Sequence, residues 1–371
     1  MAKKRKTIPD KEPFISRTWF IFACLIIFAP VGIYLLWKYK KYDPALRVVL
    51  SGAFALLFLY NNWNLFFPNT ETVSKPNFSL SIDSPAQEAN SNQKSQVNDP
   101  QEEYIPPVLP SPDFADKRLL KVHFLDVGQA DSIVIQTPGG KTLLVDGGNQ
   151  EDGDFVKNYL VGLGVKELTA VIATHPHEDH IGGLPAVIES FPVQSFYLPE
   201  ATHTTKTFTD LLQAVEKSGA QTITAKVGKS IPTDELNLAM IFLAPNSNKY
   251  AELNNYSAVL KVTYKDISFL LTGDAEQLSE EEMLKYNRNV NATVLKVGHH
   301  GSKTSSSLDF LKKVRPAYAV ISCGQDNEYG YPHPEAIANL KEVEAGTLRT
   351  DVLGTIVIET DGEKLGIKVQ K

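Results

Sequence analysis

Ten consecutive residues, Thr174-His175-Pro176-His177-Glu178-Asp179-His180-Ile181-Gly182-Gly183, constrain this 371-residue chain more than any other feature. They set three imidazoles and a carboxylate in the pattern His-x-His-x-Asp-His, directly behind the apolar run Ala170-Val171-Ile172-Ala173. A strand ending there delivers all four side chains into one tight loop. The two glycines then let the backbone turn closely into the helix-like Leu184-Pro185-Ala186-Val187-Ile188-Glu189. Neutral imidazole and carboxylate are donors that zinc, manganese and iron accept. The spacing predicts a metal site.

Two further segments follow the same plan. The apolar run 267–271 leads into Thr272-Gly273-Asp274, and 294–297 leads into Gly298-His299-His300-Gly301. Of the eight histidines, five fall in the first and last of these three runs, which argues against chance placement. Ligands of open α/β proteins gather beyond the carboxyl ends of strands, so three such ends predict one site along a sheet rim. Taken alone, Asp274 reads equally well as a turn or helix-cap residue; the neighbouring motifs make it a ligand candidate.

His-x-His-x-Asp-His, a later Gly-Asp and a final His together resemble the signature of the metallo-β-lactamase superfamily. Four more runs narrow the resemblance: Phe124-Leu125-Asp126-Val127-Gly128-Gln129-Ala130-Asp131-Ser132, Leu144-Val145-Asp146-Gly147-Gly148, Val297-Gly298-His299-His300-Gly301-Ser302 and Ile321-Ser322-Cys323-Gly324. They resemble the branch containing the C-terminal domain of the ComEC competence protein and its free-standing, membrane-anchored relatives. The resemblance covers residues 117–371. It implies an α/β fold, a four-layer αββα sandwich with a two-metal site at one edge, occupied by zinc or manganese. By the same resemblance, His175 and His177 bind one ion and Asp179 and His180 the other. Asp274 bridges them and His300 completes the second position. His299 has a supporting role, and Asp146 orients a ligand or a water.

One departure from the family pattern bears on the chemistry. Other members supply a third His to the first ion from the stretch before the bridging Asp. Here the only His in that interval is His203, ahead of an amphipathic helix carrying Phe208, Leu211, Leu212 and Val215. The sequence leaves His203 open between a ligand and a residue remote from the site. A first ion with fewer protein ligands suits phosphoester chemistry, in which substrate oxygens fill the open positions. The resemblance implies hydrolysis by a hydroxide held between the ions, with Asp179 as its catalytic partner. The leaving-group acid is sought in Asn327-Glu328-Tyr329-Gly330-Tyr331-Pro332-His333-Pro334, where relatives often carry Asn-x-Tyr-Gly-His-Pro. Tyr331 stands where that His falls and His333 follows two residues later, so both are candidates, against a rim loop that merely packs. Lys303 and Arg349 read equally well as holders of a phosphate or as surface charges.

The N-terminal part says where the chemistry takes place. Residues 18–37 and 48–67 are two uncharged runs of twenty, each long enough for a hydrocarbon core of roughly 30 Å. Trp19, Trp37, Tyr39, Tyr42, Tyr60 and Trp63 lie near their ends, as an interfacial aromatic belt requires. Basic residues flank the first run on both sides, which the positive-inside rule does not permit for two full spans. A first run that enters and returns, with only the second spanning, resolves this and leaves the rest outside the membrane. Residues 1–68 therefore read as a membrane anchor. Residues 69–116, rich in Ser, Asn, Gln and Pro, read as a disordered tether. Residues 117–371 read as the catalytic domain, expected on the extracytoplasmic face of a bacterial-type cell membrane.

Charge limits the partners. Residues 1–68 hold ten Lys/Arg against three Asp/Glu, and 69–116 hold two against eight, so a total of −6 leaves 117–371 at −7. Nucleic-acid binders usually show a basic footprint, and this domain has none in its net balance. Lys303, Lys312, Lys313 and Arg315 are candidates for a local basic patch. Three functional readings follow. The first is a phosphodiesterase or nuclease acting on DNA or RNA. The second is a hydrolase of a small or lipid-linked envelope phosphoester, and the third a non-enzymatic accessory of DNA uptake. Within the domain the sequence predicts strands near 120–125, 132–136, 142–145, 170–173, 239–243, 258–263, 267–271, 294–297, 318–321 and 355–359. Helices are predicted near 154–163, 184–189, 209–218, 279–286, 307–314 and 334–343.

Overall fold

Period-two alternation of apolar side chains is what stacks this domain into layers. A computed structural model describes residues 118–371 continuously, together with Leu35, Lys38, Tyr39, Ser51, Pro112 and Phe114. The anchor runs 18–37 and 48–67 and the tether fall outside the described residues, apart from those isolated positions. Among the described residues no helix is long and apolar enough to cross a membrane.

The chain opens with an antiparallel meander of β1 (Leu120–Phe124), β2 (Ile133–Gln136) and β3 (Thr142–Val145). Helix α1 (Gly153–Gly162) then returns it to β4 (Leu168–Ile172), parallel to β3. Helices α2 (Glu178–Ile181) and α3 (Leu184–Ser190) lead to β5 (Val193–Leu198), and α4 (Lys206–Ser218) leads to β6 (Gln221–Thr224). A second antiparallel meander follows in β7 (Leu238–Phe242), β8 (Leu260–Tyr264) and β9 (Ile267–Leu271). Helix α5 (Gln277–Lys285) precedes β10 (Val294–Lys296), α6 (Leu308–Val314) precedes β11 (Tyr318–Ile321), and α7 (Pro334–Glu342) precedes β12 (Gly346–Arg349). Strands β9 to β12 run parallel. After α8 (Thr350–Leu353), β13 (Ile356–Thr360) and β14 (Leu365–Val369) rejoin the first sheet. The sheets have eight and six strands, in the orders β14-β13-β1-β2-β3-β4-β5-β6 and β12-β11-β10-β9-β8-β7.

Three apolar layers hold the four structural ones together. Leu143, Val145 and Ile172 of the first sheet meet Leu260, Phe269 and Leu271 of the second in a shared core between the sheets. The opposite faces point outward: Leu144 and Val171 pack under Val156, Val187 and Leu211 of α1, α3 and α4. Leu270, Leu295 and Ala319 pack under Met283, Phe310 and Leu340 of α5, α6 and α7. This is the αββα sandwich. Truncating a side chain such as the fully buried Phe269 to Ala removes about 3–5 kcal/mol. Strands β5, β6, β12 and β14 are additions to the sequence-based expectation.

Candidate metal centre

The loops that follow β3, β4, β9 and β10 converge at one rim of the sandwich, and each brings ionisable side chains. Asp146, just after β3, sits at φ 57° and turns its carboxylate back into the protein. Its Oδ1 accepts the backbone N–H of Thr174 at 2.8 Å and its Oδ2 the Thr174 hydroxyl at 2.7 Å. The same Oδ2 lies 2.8 Å from Nδ1 of His180. Nδ1 therefore carries the proton, and Nε2 is left facing Asp274 Oδ1 at 3.2 Å and Asp179 Oδ2 at 3.6 Å. The close approach of α3 to the loop after β3 requires glycine: a Cβ on Gly183 would overlap the carbonyl oxygen of Gly147.

His300 is held in the same manner from the other sheet. It lies in the turn Gly298–Gly301 after β10, with φ 53°. Its Nδ1 donates to the carbonyl of Ser322 at 2.9 Å, which leaves Nε2 facing Asp179 Oδ2 at 3.2 Å and Asp274 Oδ2 at 3.6 Å. Asp179, His180, Asp274 and His300 thus each offer a donor atom within 4.8 Å of the others. His180 Nε2 and Asp274 Oδ1 are buried and have no hydrogen-bond partner. An imidazole nitrogen and a carboxylate oxygen facing each other in a dry setting are costly unless a proton or a metal ion joins them. With two further donors converging on the same point, this set fits a divalent metal ion.

His175 and His177 form a looser flank. His175 Nε2 is 3.9 Å from Asp274 Oδ2 and 2.9 Å from His177 Nδ1. His175 Nδ1 lies near Ser257 Oγ at 3.4 Å, and that hydroxyl accepts the backbone N–H of Asp274 at 3.0 Å. His203 lies beside this flank, not remote from it: its ring is 6.1 Å from that of His177, edge to face, while its Nδ1 contacts Thr205 Oγ1 at 3.1 Å.

Residues 125–325 match the family model described as "Metallo-beta-lactamase superfamily". The chain belongs to this superfamily. It is 32% identical over 253 residues to ComE operon protein 3 of Bacillus subtilis, covering 64% of this chain and 32% of that protein. It is 28% identical to Recombination protein 2 of Haemophilus influenzae, covering 67% and 30%. It is 32% identical to Competence protein ComA of Neisseria gonorrhoeae, covering 62% and 31%. The chain therefore spans about a third of the length of these curated relatives. Among solved structures it is similar to the metallo-beta-lactamase fold protein YhfI from Bacillus subtilis. That match has 17% identity and a TM-score of 0.40, over 62% of this chain and 95% of that one.

The electrostatics of this metallo-β-lactamase rim call for positive charge. Burial pushes the imidazole of His180 down, but Asp274, Asp179 and Asp146 outweigh it and hold the group well above its usual range. Burial works against ionising Asp274 and Asp179 too, and His180 with His300 overrides it, so both carboxyls lie below the ordinary carboxylate value. On the other flank burial, with His180 next, holds His175 well below its usual value. Burial likewise lowers His177, so this flank keeps neutral imidazole lone pairs.

The remaining candidates divide. Tyr331 faces the centre, with its hydroxyl 3.4 Å from His299 Nε2, which is itself 3.8 Å from Asp274 Oδ2. His299 is steadied from behind by Glu276, whose Oε1 is 3.3 Å from Nδ1. His333 accepts the backbone N–H of Lys303 on Nδ1 at 3.0 Å. Arg349 corrects the sequence-based expectation: its guanidinium is paired with Asp351 through Nε at 3.0 Å and Nη2 at 2.6 Å, which gives it a structural partner. Lys303 is exposed.

Residues without an assigned role in the sequence complete the support. Lys296 and Asp131 are fully buried and paired at 2.9 Å, and Lys296 Nζ also donates to the carbonyl of Val297 at 2.9 Å. Asp131 Oδ1 stands 3.5 Å from His300 Nδ1, so this ion pair backs the His300 ligand position. The signal was present in the sequence. A lysine inside the apolar run Val294-Leu295-Lys296-Val297 has to find a carboxylate if the strand is buried.

Proposed function

We propose that this chain is a membrane-tethered, two-metal phosphodiesterase with nucleic acid as its first substrate candidate. The observation that carries the reading is the shared carboxylate. Asp274 lies between a flank of three further donors, Asp179, His180 and His300, and a flank of two neutral imidazoles, an arrangement suited to two ions of unequal coordination. Zinc or manganese fits imidazole with carboxylate. When bound, two such ions lower the pKa of water from 15.7 toward roughly 7 and polarise phosphoryl oxygens. The protein's own part is orientation and proton handling. Asp146 and the Ser322 carbonyl fix the tautomers of His180 and His300, so their Nε2 atoms cannot turn away. Asp179, about one-third exposed, is the carboxylate placed to receive a proton from an attacking water. Burial raises the phenol of Tyr331, so it stays protonated at neutral pH and can donate to an oxyanion or leaving group. With Nδ1 of His333 committed as an acceptor, its ring proton sits on Nε2, and its ring lies edge-on to Tyr331.

The flank of two imidazoles supports phosphoester chemistry, because substrate oxygens can occupy what the protein leaves open. Similarity to one protein named for recombination and one named for competence supports nucleic acid. The runs 18–37 and 48–67 with the polar segment 69–116 support a catalytic domain tethered at the outer face of the membrane. The net charge of −7 over 117–371 favours a second reading, a hydrolase of a lipid-linked or small envelope phosphoester. The deciding experiment is hydrolysis of DNA, RNA and glycerophosphodiesters by the full-length protein in detergent with manganese or zinc, beside Asp179→Ala. Nucleic-acid cleavage that disappears in the variant is the expected result. Metal-loaded protein that cleaves only glycerophosphodiesters moves the assignment to the second reading. Metal-loaded protein that cleaves none of them overturns the enzyme and leaves an uptake accessory.

A further inference from the structure

One aromatic ring beside the metal centre stands in water, and the chemistry above makes no use of it. Tyr329 is 59% exposed. Its ring lies nearly parallel to that of Tyr331, with centroids 5.5 Å apart and planes at 17°. Tyr331 is in turn nearly parallel to His300, at 6.4 Å and 22°. Three roughly parallel rings therefore lead outward from a buried metal-ligand candidate, through a half-buried tyrosine, to an exposed one.

The loop that carries them is fixed in place. The Asn327 side chain donates to the carbonyls of Gly324 at 2.9 Å and Tyr331 at 2.7 Å, and its Oδ1 accepts the Tyr331 N–H at 2.9 Å. Gly330, at φ 70°, supplies the left-handed turn between the two tyrosines. Past Tyr331 the loop is clasped to the metal loop: His333 N–H donates to the Gly301 carbonyl at 2.9 Å, and Lys303 N–H to His333 Nδ1. Pro332 fills the space that a Cβ on Gly301 would need. A ring presented so rigidly loses little freedom when it is covered, and covering it removes apolar surface from water.

We propose that Tyr329, backed by Tyr331, is a stacking platform for a nucleobase next to the scissile phosphodiester, and that the substrate is single-stranded nucleic acid. This rests on the phosphodiesterase reading. A flat ring with its outer face open takes another flat ring, and a lipid headgroup offers none. Single strands expose their bases for such contacts, and stacking accepts any base. Charge makes the platform necessary: a domain at −7 draws a polyanion weakly, so short-range contact has to supply the affinity.

The test uses the full-length protein in detergent with manganese. The substrates are single-stranded DNA and RNA, an abasic strand of equal length, a duplex and phosphatidylcholine vesicles. Binding is followed by anisotropy of an end-labelled strand and turnover by gel. Tyr329→Ala is expected to raise Kd and KM for base-bearing single strands by about tenfold, the scale of one lost base–aromatic stack. It is expected to leave kcat and all parameters on the abasic strand unchanged, with Tyr329→Phe near wild type. If wild type cleaves strands but Tyr329→Ala affects base-bearing and abasic ones alike, or neither, the platform is wrong and the phosphodiesterase stands. A Tyr329→Ala effect confined to vesicles also overturns it. If metal-loaded wild type cleaves no strand at all, the phosphodiesterase reading on nucleic acid and the platform fall together.

Discussion

The two flanks of the metal centre are built to different standards. On one, Asp179, His180 and His300 converge with Asp274, and both imidazoles are locked from behind, by Asp146 and by the Ser322 carbonyl. On the other, His175 and His177 face each other at 2.9 Å and His203 is only a ring neighbour. Ligands with fixed tautomers and directions bind tightly, whereas a pair that must reorient binds less well and leaves room for substrate. On the proposed two-metal reading, the tighter flank is expected to hold an ion and the looser one to work with one.

The largest effect tests what the flanks share. Asp274→Ala removes the carboxylate common to both, so metal content falls to near zero and hydrolysis to background, read by elemental analysis and turnover. Next, His180→Ala and His177→Ala separate the flanks. The first is expected to lose the tightly held ion and the second only the weaker one, and equal losses would break the distinction. Asp146→Asn is smaller: weakening the partner that fixes His180 is expected to cost about 10–100-fold in affinity at the tight position, with little change at the other. Lys296→Met, which strands the buried carboxylate of Asp131 behind His300, is expected to cost about 3–5 kcal/mol of stability in chemical denaturation.

A last prediction separates the centre from the rest of the fold. Burial lowers His123 on β1 from 6.5 to about 4, and its Nδ1 lies 2.9 Å from the Tyr159 hydroxyl, away from the metal ligands. The fold favours its neutral form. Its contribution is therefore complete above pH 6.5 and is lost as pH falls from 6.5 toward 4, by about 3 kcal/mol in all. His123→Gln should flatten that part of the stability–pH curve in metal-free protein. An unchanged acid slope would place the whole acid response in the metal centre.

Much of the centre was legible because its donors are close in sequence or follow apolar strands. His175, His177, Asp179 and His180 lie in one run, and Asp146, Asp274 and His300 each follow a buried strand. What escaped depends on distance or on weak pattern. The Asp131–Lys296 pair joins the loop between β1 and β2 to strand β10 of the other sheet, and an apolar run gives no sign of which carboxylate its lysine will meet. Strand β6, Gln221–Thr224, lies at a sheet edge with no buried residue, so it carries no alternation to read. Strand β12, Gly346–Arg349, is short and also an edge. His203 comes next to His177 through the turn after β5, which local sequence does not reveal.

The most direct test of two unequal positions sharing Asp274 is graded chelation of the full-length protein, with ions per chain counted by mass spectrometry. Wild type is expected to lose metal in two steps, one ion released well before the other, and Asp274→Ala to lack nearly all of both. Release of all metal in one step, or an ion that persists unchanged in Asp274→Ala, would contradict it.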